Sequence, residues 1–236
     1  MFFSQKFYNL DEFSKQIKSE KYLIAKKKII DDIKLKSFSF MSEMQKKKLN
    51  EIYSLKNHFR KFKNIIFLGT GGSSLGGKTL VSIKKNFYIN DLFPKIFFVE
   101  NIDQLSINGF LKHINLNESA LVVTSKSGET IETLAQFFFI KEQIKNQNSN
   151  TEIFIITENK KSTLKRIQEE ESYFFIEHNK RIGGRFSVFS VVGLLPAVIS
   201  GLKIKEFVKG AELFLESIIK DESKFDDYFF GSFSQV

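Results

Sequence analysis

Cysteine is absent from this chain of 236 residues. That excludes a disulfide frame, a thiolate nucleophile and any thiolate metal site. Histidine is scarce, and His58, His113 and His178 show no metal-binding spacing. Each reads as a surface or helix-end residue, with His178 near enough to a glycine loop to watch. Long hydrophobic runs are missing as well. The longest, Val188 to Leu202, is too short and too interrupted to span a bilayer. Met1-Phe2-Phe3-Ser4-Gln5-Lys6 turns polar within four residues, unlike a signal peptide. A soluble cytoplasmic protein with no membrane partner is the expectation. No internal repeat or low-complexity tract is present.

Arginine is rare: four against 32 lysines. The lysines are spread through helical segments such as Lys26-Lys27-Lys28 and Lys46-Lys47-Lys48, where they read as solvated faces. With Phe, Ile and Asn also abundant, this looks like AT-rich coding bias. The net charge of +9 is therefore discounted as a sign of nucleic acid, although basic surfaces do attract phosphate backbones. No nucleic-acid partner is expected.

What the chain does have is periodicity. Residues 11–36 and 42–62 read as helices, the second from the spacing of Met41, Met44, Leu49, Ile52, Leu55, Phe59 and Phe62. Apolar runs suited to buried strands follow at Ile65–Leu68, Ile96–Val99, Ala120–Thr124, Ile153–Thr157 and Tyr173–Ile176. Helical segments near 73–86, 103–114, 129–147 and 161–170 separate them. This alternation predicts an α/β, flavodoxin-like three-layer sandwich with a five-stranded parallel sheet. Ser187–Ser200 is apolar all round and predicts a buried helix, kinked or bounded at Pro196. Ile204 to Ile218 predicts an amphipathic helix. The sheet is thus flanked by N- and C-terminal helices. Phe225, Tyr228, Phe229, Phe230 and Phe233 crowd the end of the chain, as if the natural protein continued beyond it.

Glycine is concentrated rather than abundant. Eight of 13 glycines lie in three loops: Gly69–Gly77, Ser125–Thr130 and Gly183–Ser187. Each follows a strand and precedes a helix. Glycine lets backbone approach a ligand, and a helix N-terminus offers unpaired N–H groups to an anion. On a 2-1-3-4-5 strand order, the first two loops flank the crevice where the winding reverses. Ser125, Ser127, Thr130 and Thr133 place four hydroxyls in nine residues, suiting a phosphate monoester, and Lys126 adds a charge. Glu129 and Glu132 would repel that phosphate unless turned aside. A merely tight turn and a merely well-capped helix are the competing readings.

Two further readings concern single residues. Arg185, between two glycines and Phe-Ser, suggests a need for the rigid guanidinium fork, against a structural salt bridge. Gly72-Ser73-Ser74-Leu75-Gly76-Gly77-Lys78-Thr79 fits the P-loop pattern of nucleotide hydrolases, yet no later strand ends in a clear Mg-holding Asp.

Together these segments resemble the phosphoglucose isomerase family. Ile182-Gly183-Gly184-Arg185-Phe186-Ser187-Val188-Phe189-Ser190-Val191-Val192-Gly193-Leu194-Leu195-Pro196 is similar to its signature nearly residue for residue. Leu68–Gly76 resembles its first glycine loop. Ser125–Thr133 resembles the phosphate loop of sugar-isomerase (SIS) domains in general. The resemblance covers about residues 63–205. It implies an SIS-type fold, with a helical segment at 1–62, an SIS domain at 63–180 and a helical continuation at 181–236. On this resemblance the family's second SIS domain is expected to be absent from these residues.

The resemblance further implies an enzyme of glycolysis and gluconeogenesis that interconverts glucose 6-phosphate and fructose 6-phosphate through an enediol, without metal or organic cofactor. Ser125, Ser127, Thr130 and Thr133 would hold the phosphate, with Lys126 at the loop's edge. Gly72 and Ser73 would meet sugar hydroxyls. Arg185 would stabilise the enediol's negative oxygen. A homodimer is implied for the full-length protein. The family's glutamate base, ring-opening histidine and late lysine have no matching segment here, so this chain is expected to bind sugar phosphate better than it isomerises it. A non-catalytic sugar-phosphate-binding module is the alternative.

Overall fold

The computed structural model describes residues 19–84 and 94–226. The chain divides into two compact units, Met1–Ser42 with Lys205–Val236, and Glu43–Ile204.

The larger unit is built on an all-parallel sheet of order β2-β1-β3-β4-β5. Its strands are β1 (Asn64–Leu68), β2 (Lys95–Val99), β3 (Ser119–Thr124), β4 (Glu152–Thr157) and β5 (Phe174–Glu177). Every residue of β1 and β3 is buried, as central strands covered on both faces require. Alternate side chains separate to opposite faces. Ile66, Leu68, Leu121, Val123, Ile153 and Ile155 form one core with Phe137 and Ile140 of the helix Ile131–Asn146 and Leu164 of the helix Thr163–Glu170. On the other face Phe154 packs at a tilt against Phe59 of the helix Lys46–Phe59, with ring centroids 4.5 Å apart. Helices on both faces make the three layers read from the sequence. Each fully buried Phe, Ile or Leu contributes about 1.5–3 kcal/mol.

The helices between strands fall close to their expected places, at Leu75–Lys84, Gln104–Lys112, Ile131–Asn146 and Thr163–Glu170. Two expectations need correction. The helix expected over 42–62 is split into Ser39–Glu43 and Lys46–Phe59, because Gln45 is extended at φ −64° and ψ 144°. The apolar spacing stays in phase across the break and conceals it. The buried helix expected over Ser187–Ser200 begins only at Val191. Gly184–Phe189 forms a 3-10 turn instead, and Ser190 caps the helix, its Oγ accepting the Val192 N–H at 3.3 Å. All residues of Val191–Ile199 are buried, and Pro196 lies inside without ending the helix.

In the smaller unit, the helix Glu20–Lys34 is capped by Ser19. Tyr22, Ile30, Ile33, Ile218 and Phe225 form its core. The Tyr22 hydroxyl donates to Asp226, which Lys26 also meets at 2.7 Å. Ile218 belongs to the helix Ile204–Lys220, whose amphipathic spacing was expected. Of the terminal aromatics only Phe225 lies within the described residues; Tyr228, Phe229, Phe230 and Phe233 lie outside them, as do 11–18 and 85–86 of the expected helices. Among the described residues no helix is long and apolar enough to cross a membrane.

Candidate functional site

The site forms where β1 and β3 end side by side. After β1, Gly71–Ser73 makes a 3-10 turn before the helix Leu75–Lys84 starts. This turn adjoins both other glycine loops. A Cβ on Gly69 would stand 3.1 Å from the Thr124 carbonyl at the end of β3. A Cβ on Gly72 would stand 2.4 Å from the Gly184 backbone. The Ser187 hydroxyl ties the same two segments, 2.6 Å from the Gly72 carbonyl and 2.8 Å from that of Gly184. Gly72, Ser73 and Arg185 are thereby brought to one place. Arg185 is exposed and makes no ion pair with any described residue, so the salt-bridge reading finds no partner.

The loop after β3 is braced from within. Gly128 takes φ +71°, and a Cβ there would lie 2.2 Å from Ser162 Oγ, so only glycine fits. Ser125 is buried; its Oγ accepts the Gly128 N–H at 3.1 Å and lies 2.9 Å from Thr130 Oγ1. Ser127 Oγ accepts the Glu129 N–H at 3.1 Å. A hydroxyl holds one proton. The Ser127 proton is therefore uncommitted among the described residues, and so is one of the two shared by Ser125 and Thr130.

The helix Ile131–Asn146 starts with no side-chain cap. The N–H groups of residues 126, 127 and 130–133 donate to no protein acceptor among the described residues. Thr133 is 1% exposed, and its Oγ1 is without a hydrogen-bond partner. A buried polar atom left unpaired costs about 1–3 kcal/mol. The set can receive a tetrahedral anion: backbone donors at a helix N-terminus, with alcohol protons beside them.

Glu129 is turned aside, as phosphate binding would require. Its carboxylate accepts the Thr163 N–H at 2.6 Å and the Thr163 hydroxyl at 2.8 Å. The Thr163 N–H and hydroxyl hold that carboxyl below the usual carboxylate range. Lys126 leaves the cleft for the β4 side, with Nζ 3.6 Å from the carboxylate of Glu158. Lys160 lies 2.8 Å from the same carboxylate. Burial works to raise the Glu158 carboxyl, but Lys160 and Lys126 hold it below the usual range.

The P-loop reading fails on geometry. Lys78 pairs with Glu100, which also accepts the Ser74 hydroxyl at 2.6 Å. The Thr79 hydroxyl is spent on the Leu75 carbonyl at 2.8 Å. Neither side chain is free for a nucleotide phosphate. Among the described residues no group of three or more His, Asp and Glu is placed to hold a metal ion.

The sequence pattern of the family described as phosphoglucose isomerase matches residues 34–222. The chain belongs to the phosphoglucose isomerase family. It is 33% identical over 190 residues to a probable glucose-6-phosphate isomerase of Methanococcus maripaludis, covering 78% of this chain and 43% of that protein. It is 34% identical over 151 residues to the glucose-6-phosphate isomerase of Methanocaldococcus jannaschii, covering 64% of this chain and 36% of that protein. The chain thus spans less than half the length of these relatives. Among solved structures, a hypothetical protein of Thermus thermophilus superposes with TM-score 0.72 at 22% identity, over 89% of this chain and 51% of that one. A glucose-6-phosphate isomerase of Chlamydia trachomatis gives TM-score 0.57 at 24% identity, over 77% and 33%. These likenesses bear on the fold.

Three residues near this phosphoglucose isomerase loop were not singled out for the site from sequence. Glu158 is one. Gln136 is another, a polar residue on the buried face of its helix with both amide atoms unpartnered. Its signal was readable: Thr133, Gln136 and Ile140 share the helical spacing of a core face. The third is Asn179, which donates to the buried Glu43 at 2.6 Å beside His178.

His178, which the sequence suggests is a surface or helix-end residue, is instead buried at 2% exposed, and burial pushes its imidazole below the usual value. The Asn179 carbonyl opposes that shift, Lys126 adds to it, and Glu158 and Glu43 oppose it. A depressed histidine costs stability as pH falls, because the unfolded chain takes up the proton first. Glu129 and Glu158, held low, act in the same direction at more acid pH. The melting temperature is expected to drop between pH 7.5 and 5.5. A His178→Gln chain should drop less over that interval; equal drops would show that His178 contributes nothing.

Proposed function

We propose that this chain is the sugar-phosphate-binding part of an aldose–ketose isomerase acting on glucose 6-phosphate and fructose 6-phosphate in the cytoplasm. The observation that carries the reading is the uncapped N-terminus of Ile131–Asn146, with the unpartnered Thr133 hydroxyl buried beneath it. A phosphate dianion would take these donors, with Ser127 and the Ser125–Thr130 pair. Each bond to a charged oxygen is worth about 1.5–3 kcal/mol. Lys126 would stay at the rim, and Gly72 and Ser73 would meet the sugar. In this reading 63–180 carries the phosphate site, 1–62 is a helical segment and 181–236 a helical continuation that supplies Arg185, in a protein whose full-length form is a homodimer.

The isomerisation moves a proton between adjacent carbons through an enediol. Arg185, unpaired at the mouth of the first loop, would stabilise the negative oxygen of that intermediate. A general base is a separate need. Glu100, Glu129 and Glu158, which follow the strands and the loop, are engaged by Lys78, Thr163 and Lys160. This chain alone should therefore bind and not turn over.

The test is calorimetric titration of the 236-residue chain with fructose 6-phosphate, alongside a coupled assay for glucose 6-phosphate. Saturable binding without turnover is expected. Absence of binding would overturn the phosphate reading. Rapid turnover would show that a base is present.

A further inference from the structure

The helix Ile131–Asn146 packs its inner face on β1 and β3, and that face is apolar except at two positions. Gln136 is 1% exposed, and neither Nε2 nor Oε1 has a hydrogen-bond partner. Thr133, one turn earlier on the same face, is 1% exposed with Oγ1 equally alone. Buried side-chain polar atoms without partners number only these three among the described residues. All of them lie on one turn of one helix, beneath the loop that offers the free N–H groups.

We propose that Gln136 is a positioning residue for the phosphate site, fixing the Thr133 hydroxyl that meets the bound dianion. This rests on the phosphate reading of residues 125–133. Helical side chains lean toward the N-terminus, so Gln136 reaches toward the turn that carries Thr133. A threonine hydroxyl has one proton and two acceptor positions. When the proton is given to a phosphate oxygen, the lone pairs turn inward and need a donor. The Gln136 amide is the buried donor with no other use. Leu or Met would fill the same apolar face without an unpaired amide, so stability does not account for glutamine here.

The test uses the 236-residue chain, inorganic phosphate as the probe, and Gln136→Met, which keeps length while removing polarity. Without ligand the variant should melt higher than the wild type. Its Kd for phosphate should rise about tenfold, the order of one buried hydrogen bond between neutral groups. In a Thr133→Val background the same change should alter Kd by less than about twofold, since Gln136 acts through that hydroxyl. A purely structural role would not produce higher stability, weaker binding and this dependence together.

A Gln136→Met chain that binds phosphate as tightly as wild type overturns the proposal and leaves the phosphate reading standing. So does an equal loss with and without the Thr133 hydroxyl. Wild type failing to bind phosphate removes both. Gln136→Leu repeats the test should the methionine variant fold poorly.

Discussion

Replacing Gly72 by valine should cost about 3 kcal/mol or more. The cause is backbone meeting backbone. A Cβ at this position would stand 2.4 Å from the Cα, C and O atoms of Gly184. Main-chain atoms cannot rotate away as a side-chain tip can. Opening the contact would also pull the Ser187 hydroxyl from the Gly72 carbonyl it meets at 2.6 Å. Domains of this size are stable by only about 5–15 kcal/mol, so the variant should unfold at a much lower urea concentration. Gly109→Ala is the matched control. Nothing lies within 4 Å of a Cβ there, inside the helix Gln104–Lys112, so alanine should add about 0.5–1 kcal/mol. Equal midpoints for Gly72→Val and wild type would show that the two loops are not packed together.

That contact also shows where the sequence misleads. Concentrated glycine reads as room for a ligand, and at Gly128 the positive φ does shape the hydroxyl loop. At Gly72 the missing side chain makes room for another stretch of the chain, the backbone of Gly184. Gly76 and Gly77 do the same toward Val188 and Pro196. Composition cannot tell a glycine that faces a ligand from one that faces distant backbone.

The sheet, by contrast, was legible almost to the residue, because β1 and β3 are buried on both faces and appear as unbroken apolar runs. Helix starts were less so. The late start at Val191 depends on the Ser190 cap and on a 3-10 turn, and both are local hydrogen-bond choices that an all-apolar stretch conceals. At the site, sequence could group the hydroxyls but not apportion their protons. Ser125 braces the loop through Gly128 and Thr130, Ser127 keeps a proton to give, and Lys126 faces Glu158. The partners that decide these roles lie about 30 positions away: Thr163 for Glu129 and Glu158 for Lys126. Periodicity carries no information about them.

Removing two of the three available alcohol protons, as Ser127→Ala with Thr133→Val, should weaken phosphate or fructose 6-phosphate binding at least about hundredfold. Each lost bond to a charged oxygen is worth about 1.5–3 kcal/mol, so even the lower figures for two bonds exceed the 2.7 kcal/mol that a hundredfold loss requires. The two positions differ in their effect on the ligand-free chain. Ser127 is exposed and its Oγ accepts the Glu129 N–H, so alanine there should lower stability slightly. Thr133 Oγ1 is buried and unpartnered, so valine should raise the melting temperature while lowering affinity. Stability and binding moving in opposite directions at one residue mark a group kept for a ligand rather than for the fold. A Thr133→Val chain that is both less stable and unchanged in affinity would mean that this hydroxyl serves packing alone. The anion would then have to be held by the backbone N–H groups and the exposed side of the loop.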